Sequence, residues 1–231
     1  MTDVRTLLHR STLELAASGS PSPRLDAEVL LMHFLKIDRL ELCIRPEKKV
    51  GEEECTGFSR WIERRSRGEP VAYITGIKEF WSLVFEVDRN VLIPRPETEC
   101  LIEEVLKRYG REREPLRIID IGTGSGAIGV VLAGELPSAR VVMTEISRGA
   151  LSVARRNAER HGVAGQMEFM EGDLFASAAG EFDVIVSNPP YIPNGVYPAL
   201  PEGIRAFEPR EALVAGPDGA DFHRRIIGEG R

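Results

Sequence analysis

Apolar positions along this chain change their spacing twice, and each change marks a different kind of structure. Over residues 1–72 the spacing is helical. Val4, Leu7, Leu8 and Leu15 fall on one stripe, and Gly19 follows as a stop. Ser22-Pro23 reads as a helix start, serine as N-cap and proline in the first helical position, with Leu25, Val29 and Met32 recurring behind it as the inward stripe. Glu52–Arg67 gives a third helix with Cys55, Phe58 and Ile62 inward and its Arg/Glu set outward. From Val71 to Ile93 the period falls to two. Phe80, Leu83, Phe85 and Val87 are mixed with polar residues, and Asp88-Arg89-Asn90 breaks the run as a turn; a β-hairpin linker is expected over residues 73–98. Pro94 and Pro96 then fix the backbone ahead of a helix from about Glu99 to Tyr109.

Residues 99–231 alternate strand and helix. Leu116–Ile121, Arg140–Thr144, Met167–Met170 and Phe182–Val186 read as strands, and helices are expected at Ala127–Leu136 and from a Ser147 cap to His161, with Gly162 as stop. Strands apolar on both faces and separated by helices predict a doubly wound α/β sheet, Rossmann-like and parallel. Such a sheet binds ligands at the carboxyl ends of its strands.

Composition narrows the class. The chain has 231 residues, 42% hydrophobic and 29% charged, which suits an ordinary globular protein. Apolar runs such as Val29–Met32 are too short for a bilayer, and Met1–Arg10 has no basic-then-apolar signal pattern, so a cytoplasmic protein without membrane contact is expected. Cys43, Cys55 and Cys100 lie far apart, and His9, His33, His161 and His223 stand alone, so no metal site is expected. A net charge of −6 argues against a phosphate-binding track. The run Arg60–Arg67, interrupted by Glu63, reads as a solvated helix face, and no direct DNA binding is expected.

The first parallel strand ends in Asp120-Ile121-Gly122-Thr123-Gly124-Ser125-Gly126-Ala127. Glycines at such a turn let backbone approach a ligand closely. The same letters satisfy the dinucleotide pattern Gly-x-Gly-x-x-Ala, and Glu145 after the second strand suits the ribose of either cofactor. The loop alone therefore leaves a nicotinamide dinucleotide and S-adenosylmethionine equally open. Asp120 breaks the tie, because its charge attracts a methionine ammonium or sulfonium and repels a pyrophosphate. Gly172-Asp173-Leu174-Phe175 adds Asp173 for an adenine amino group and Leu174 for its face.

The fourth strand runs into Ser187-Asn188-Pro189-Pro190-Tyr191. Consecutive prolines lack N–H donors and present carbonyls on a rigid frame. The Asn188 side-chain carbonyl and the Pro189 carbonyl form a pair of acceptors beside the Tyr191 ring, a set matched to a planar NH₂ group. Pro190 completes the frame. Held in line, a poor amide nucleophile gains what its delocalised lone pair lacks, and the acceptors stabilise the positive charge that develops on nitrogen. No nucleophilic side chain and no metal are required.

The Asn188-Pro189-Pro190-Tyr191 set resembles the amino-methyltransferases, which act on adenine, cytosine or glutamine nitrogens. Pro23–Glu28, Gly68–Ile74, Glu79-Phe80-Trp81, Ile93–Glu99, Asp120–Ala127, Val186–Pro193 and Glu208-Pro209-Arg210 narrow the resemblance to the release factor glutamine methyltransferases, the HemK/PrmC family. That resemblance implies a helical N-terminal docking domain, a hairpin linker and a Rossmann-like methyltransferase sheet. It implies methylation of the glutamine in the Gly-Gly-Gln loop of peptide chain release factors. It places Gly122, Thr123, Gly124, Ser125, Gly126, Glu145, Leu174 and Asn188 on the cofactor, and Asn188, Pro189, Pro190 and Tyr191 on the glutamine. The family's sheet continues with further strands, whereas this sequence stops at Gly228-Glu229-Gly230-Arg231; a truncated domain with its fourth strand as an open edge is expected. Three other readings compete: an adenine or cytosine amino-methyltransferase on nucleic acid, a catalytically silent truncated binding protein, and a nicotinamide oxidoreductase. The last has no use for residues 188–191.

Overall fold

The computed structural model describes residues 2–110 and 114–230. The chain divides into two compact units: residues up to Gly76 with Glu202–Phe207, and Ile77–Pro201 with the residues from Glu208 onward.

In the first unit a short strand β1 (Thr2–Asp3) pairs with β2 (Lys49–Val50), around helices α1 (Val4–Ala17), α2 (Pro23–Leu35), α3 (Arg39–Ile44), α4 (Glu52–Ser66) and α5 (Val71–Thr75). Val4, Leu7, Leu15, Phe58 and Ile62 are buried, as their spacing requires. The inward face of α2 differs from expectation. Leu25 is 53% exposed, and Ala27, Leu30 and Leu31 point inward with Asp26. Two apolar stripes run along α2, so spacing alone does not choose between them. The buried stripe is the one that also carries Asp26, whose carboxylate accepts from Arg65 of α4 at 2.8 Å and from the hydroxyls of Ser20 and Ser22 at 2.7 and 2.9 Å. Ser22 therefore stands at the N-cap without capping by its side chain. Arg64 likewise pairs with Glu69, so two arginines of the basic run are structural ion-pair partners rather than a solvated face.

In the second unit, β3 (Ile77–Phe80) and β4 (Leu83–Glu86) form the hairpin. Its turn is Trp81-Ser82, and Val71–Thr75 is helical rather than extended. Trp81 and Ser82 both adopt left-handed backbone (φ 53° and 57°), the two-residue geometry that matches strand twist. Trp81 is pinned there: its N–H donates to Glu99 and its indole N–H to Glu135, each at 2.8 Å. Asp88-Arg89-Asn90 turns as expected where the run ends, just after the hairpin, with Asn90 N–H donating to Asp88 Oδ1.

The parallel sheet comprises β5 (Arg117–Ile121), β6 (Arg140–Glu145), β7 (Met167–Glu171) and β8 (Val184–Ser187) in the order β7-β6-β5-β8. Helices α6 (Glu99–Tyr109), α7 (Ala127–Glu135) and α8 (Arg148–Arg160) connect and flank it, and Ser147 caps α8 by accepting the Ala150 N–H. One face of the strands carries Ile118, Val141, Met143, Val184 and Val186, the other Ile119, Ile121 and Val142. Both faces are covered, which is why the strands read as continuous apolar runs. After β8 the chain forms α9 (Glu202–Phe207), which belongs to the first unit, and α10 (Asp221–Glu229), whose Phe222 and Ile226 pack on the second face. Among the described residues β8 pairs only with β5 and forms the sheet edge. Ile121 pairs with Thr144 on one side and Ser187 on the other, so three strands end level at the site.

Candidate active site

A cavity of about 370 Å³ opens at those strand ends. The glycine loop forms its floor. Gly122, Gly124 and Gly126 have φ of 66°, 55° and 82°, a left-handed run that L side chains resist. A Cβ on Gly126 would also sit 3.1 Å from that of Ala154, so the start of α7 and α8 approach closely only with glycine there.

Gly122, Thr123, Gly124, Ser125, Glu145, Asp173, Leu174, Asn188, Pro189 and Pro190 all line this cavity. Residues from four separate loops, spread over the sequence from 122 to 190, thus meet at one place. Glu145 is oriented by backbone: its two carboxylate oxygens accept from Gly124 N–H at 2.9 Å and Ser147 N–H at 3.0 Å. Each oxygen keeps a lone pair for a ligand hydroxyl. Asn188 donates its Nδ2–H to Thr98 Oγ1 at 3.2 Å, which leaves its Oδ1 as an acceptor. Ser187 ties β8 to β5 through the Ile121 carbonyl at 2.8 Å.

Three expected residues stand elsewhere. Gly126 caps α7 behind the lining. Tyr191 is 61% exposed and outside the cavity wall. Asp120 is 1% exposed and lies beneath the loop, where Oδ2 accepts from Thr123 Oγ1 at 2.6 Å and Gly129 N–H at 3.1 Å. It braces the loop rather than facing a ligand.

Burial pushes the Asp120 carboxyl up from 3.8 to about 6; the charge of Glu145 adds to the shift, and the bonds from Thr123 and Gly129 oppose it. Between those two values the folded protein holds a proton that the unfolded chain has released. Stability from this group therefore falls as pH rises through about 6. Asp120→Asn removes that titration. In urea unfolding of both proteins, the stability of the wild type minus that of the variant is expected to be greater at pH 5 than at pH 7.5.

Several residues around the site are given no role by the sequence reading. Phe222 and Arg225 of α10 line the cavity, and Arg225 donates to both oxygens of Asp173, at 3.1 and 2.9 Å. Glu208, buried, accepts from Arg95 at 2.6 Å and from Ile93 N–H at 3.3 Å, which joins the two stretches that carry Pro94 and Pro209 to the rim. Asn157 of α8 is buried and ties the Ser125 carbonyl to both backbone polar groups of Glu86. At Gly219, where φ is 81°, a Cβ would lie 2.3 Å from the Tyr191 carbonyl, so glycine lets this turn pass behind the Asn-Pro-Pro-Tyr segment.

A parallel sheet with a glycine loop after β5, a carboxylate at the end of β6 and Asn-Pro-Pro after β8 defines an S-adenosylmethionine-dependent methyltransferase. Residues 96–197 match the methyltransferase small domain and residues 6–76 the PrmC N-terminal domain. The release factor glutamine methyltransferase of Rhodopirellula baltica is 42% identical over 231 residues, covering 98% of this chain and 78% of that protein. That of Moorella thermoacetica is 44% identical over 225 residues, covering 97% and 79%. The chain belongs to the release factor glutamine methyltransferase family. Its fold is shared with the hMettl16 catalytic domain, solved in complex with MAT2A 3'UTR hairpin 1, at a TM-score of 0.53 and 18% identity, over 94% of this chain and 71% of that one.

Proposed function

We propose that this protein methylates the side-chain amide nitrogen of the glutamine in the Gly-Gly-Gln loop of peptide chain release factors. The observation that carries the reading is Asn188 Oδ1, without a hydrogen-bond partner among the described residues and set beside Pro189 and Pro190 at the strand end that faces the glycine loop. S-adenosylmethionine, when bound, supplies an electrophilic methyl group on a sulfonium centre. The cavity suits it: Glu145 has lone pairs for a ribose diol, Leu174 and Phe222 offer apolar faces to a purine, and the glycine loop admits close backbone approach.

Asn188 Oδ1 and the Pro189 carbonyl accept the two N–H groups of the glutamine amide, orient its nitrogen and stabilise its developing charge. As the nitrogen–methyl bond forms, the methyl–sulfur bond breaks to leave a thioether, and one amide proton passes to water. The exposed Tyr191 ring is left to cover the incoming loop. Asp173, held by Arg225, offers its remaining lone pairs to the adenine amino group. Asp120 acts at one remove by fixing Thr123 and the start of α7. The helical unit, with no catalytic constellation of its own, is assigned to gripping the folded factor. Among the described residues no helix is long and apolar enough to cross a membrane.

Incubation of intact release factor with enzyme and S-adenosylmethionine tests the reading. Intact-mass and peptide analysis is expected to find one added methyl on the Gly-Gly-Gln glutamine, lost when that glutamine is replaced by alanine. The intact factor is expected to be a far better substrate than the isolated loop peptide. Methyl transfer to DNA or RNA with none to the factor would overturn the proposal.

A further inference from the structure

Thr98 closes the 3-10 turn Pro96–Thr98 and stands at the N-cap of α6. A threonine there ordinarily folds its hydroxyl back onto the free N–H groups of the helix. Here the backbone is already helical (φ −70°, ψ −19°), and the side chain makes no capping bond. The hydroxyl reaches instead across 90 residues of sequence to accept the Asn188 Nδ2–H at 3.2 Å, and both residues line the cavity. Among the described residues, no other hydrogen bond holds the Asn188 side chain.

An asparagine side chain has two soft torsions and, turned over, exchanges an acceptor for a donor with almost no change of shape. A site that must offer an acceptor to an NH₂ group therefore needs the nitrogen end of the amide occupied. We propose that Thr98 is a positioning residue for methyl transfer: it holds the Asn188 amide by its nitrogen, so that Oδ1 is presented to the substrate amide. This rests on the acceptor role assigned to Asn188 above. It also gives the turn Pro96–Thr98 a purpose beyond starting α6, since the turn sets the distance from which Thr98 reaches the end of β8.

Thr98→Val keeps the shape and removes both hydrogen-bonding functions; Thr98→Ser keeps the hydroxyl. With release factor as substrate, Thr98→Val is expected to lower kcat about tenfold or more, the loss typical of one productive hydrogen bond. KM and S-adenosylmethionine affinity by calorimetry are expected to stay within a few-fold of wild type, a range set by uniform binding being untouched. Thr98→Ser is expected to recover most of kcat. In the Asn188→Ala background Thr98→Val should cost nothing more. In the cofactor-free protein the Asn188 side-chain ¹⁵N amide signals are expected to shift in Thr98→Val and stay in place in Thr98→Ser. A wild-type kcat in Thr98→Val, equal losses in the valine and serine variants, or an undiminished loss in the Asn188→Ala background would each overturn the proposal. If Asn188→Ala itself turns over normally, the acceptor role fails and Thr98 falls with it. If Asn188→Ala is slow and Thr98→Val is normal, the acceptor role stands and only the positioning role is lost.

Discussion

Asn188→Ala is expected to lower kcat by about 100- to 1000-fold, or roughly 2.7–4 kcal/mol of barrier, by analogy with the loss of one preorganised group at an oxyanion hole. The sign of the charge is reversed here. An amide nitrogen that attacks an electrophilic methyl group becomes positive, so acceptors rather than donors stabilise it. In the proposed chemistry the Asn188 side chain is one of two acceptors; the other, the Pro189 carbonyl, is backbone and cannot be removed by mutation. The loss should fall on kcat more than on KM, because Oδ1 is worth most when the nitrogen is charged. Single-turnover methylation of release factor, scored by mass spectrometry, separates chemistry from product release. S-adenosylmethionine titration of the variant checks that the cavity is intact. Near-normal turnover by a folded, cofactor-binding variant would sink the proposed chemistry.

Glu145→Ala is expected to weaken S-adenosylmethionine binding by about 1.5–3 kcal/mol, the range for a charge-assisted hydrogen bond. Two effects act in the same direction. The carboxylate loses its bonds to ribose hydroxyls, and Gly124 and Ser147 lose the acceptor that ties the glycine loop to the start of α8. Glu145→Gln separates them. An amide keeps the shape but has one acceptor oxygen, so it cannot receive both backbone N–H groups. An intermediate affinity is therefore expected from the glutamine variant. Calorimetry on the three proteins reads both effects, and equal affinities would show that the ribose lies elsewhere.

The sequence by itself determined the parallel strands of the second unit and the helices that flank them. Period, caps and stops placed α6 at Glu99–Tyr109, α7 and α8 within a residue or so of their ends, and the four parallel strands near their observed spans. These are local matters: a buried strand must be apolar on both faces, and a proline or a capping serine acts on its own neighbours. The segments that gather at the strand ends were legible for the same reason. A glycine loop, a carboxylate and an Asn-Pro-Pro segment each declare themselves where they stand.

Tertiary structure decided what depends on a distant partner. The inward face of α2 is shown by the packed core, where Ala27, Leu30 and Leu31 are buried and Asp26 meets Arg65, 39 residues away. The hairpin turn at Trp81-Ser82 carries no glycine or asparagine, and its left-handed backbone is held from outside by Glu99 and Glu135. Asp120 looked like a ligand because a charge beside a glycine loop is exposed in sequence; in the fold it is covered, and it becomes a brace for Thr123 and α7. Phe222, Arg225 and Thr98 reach the cavity only because helices far apart in the chain end there. A side chain's type tells what it can bond to, but its role is fixed by which of its possible partners the packed chain brings within about 3 Å, the reach of a hydrogen bond.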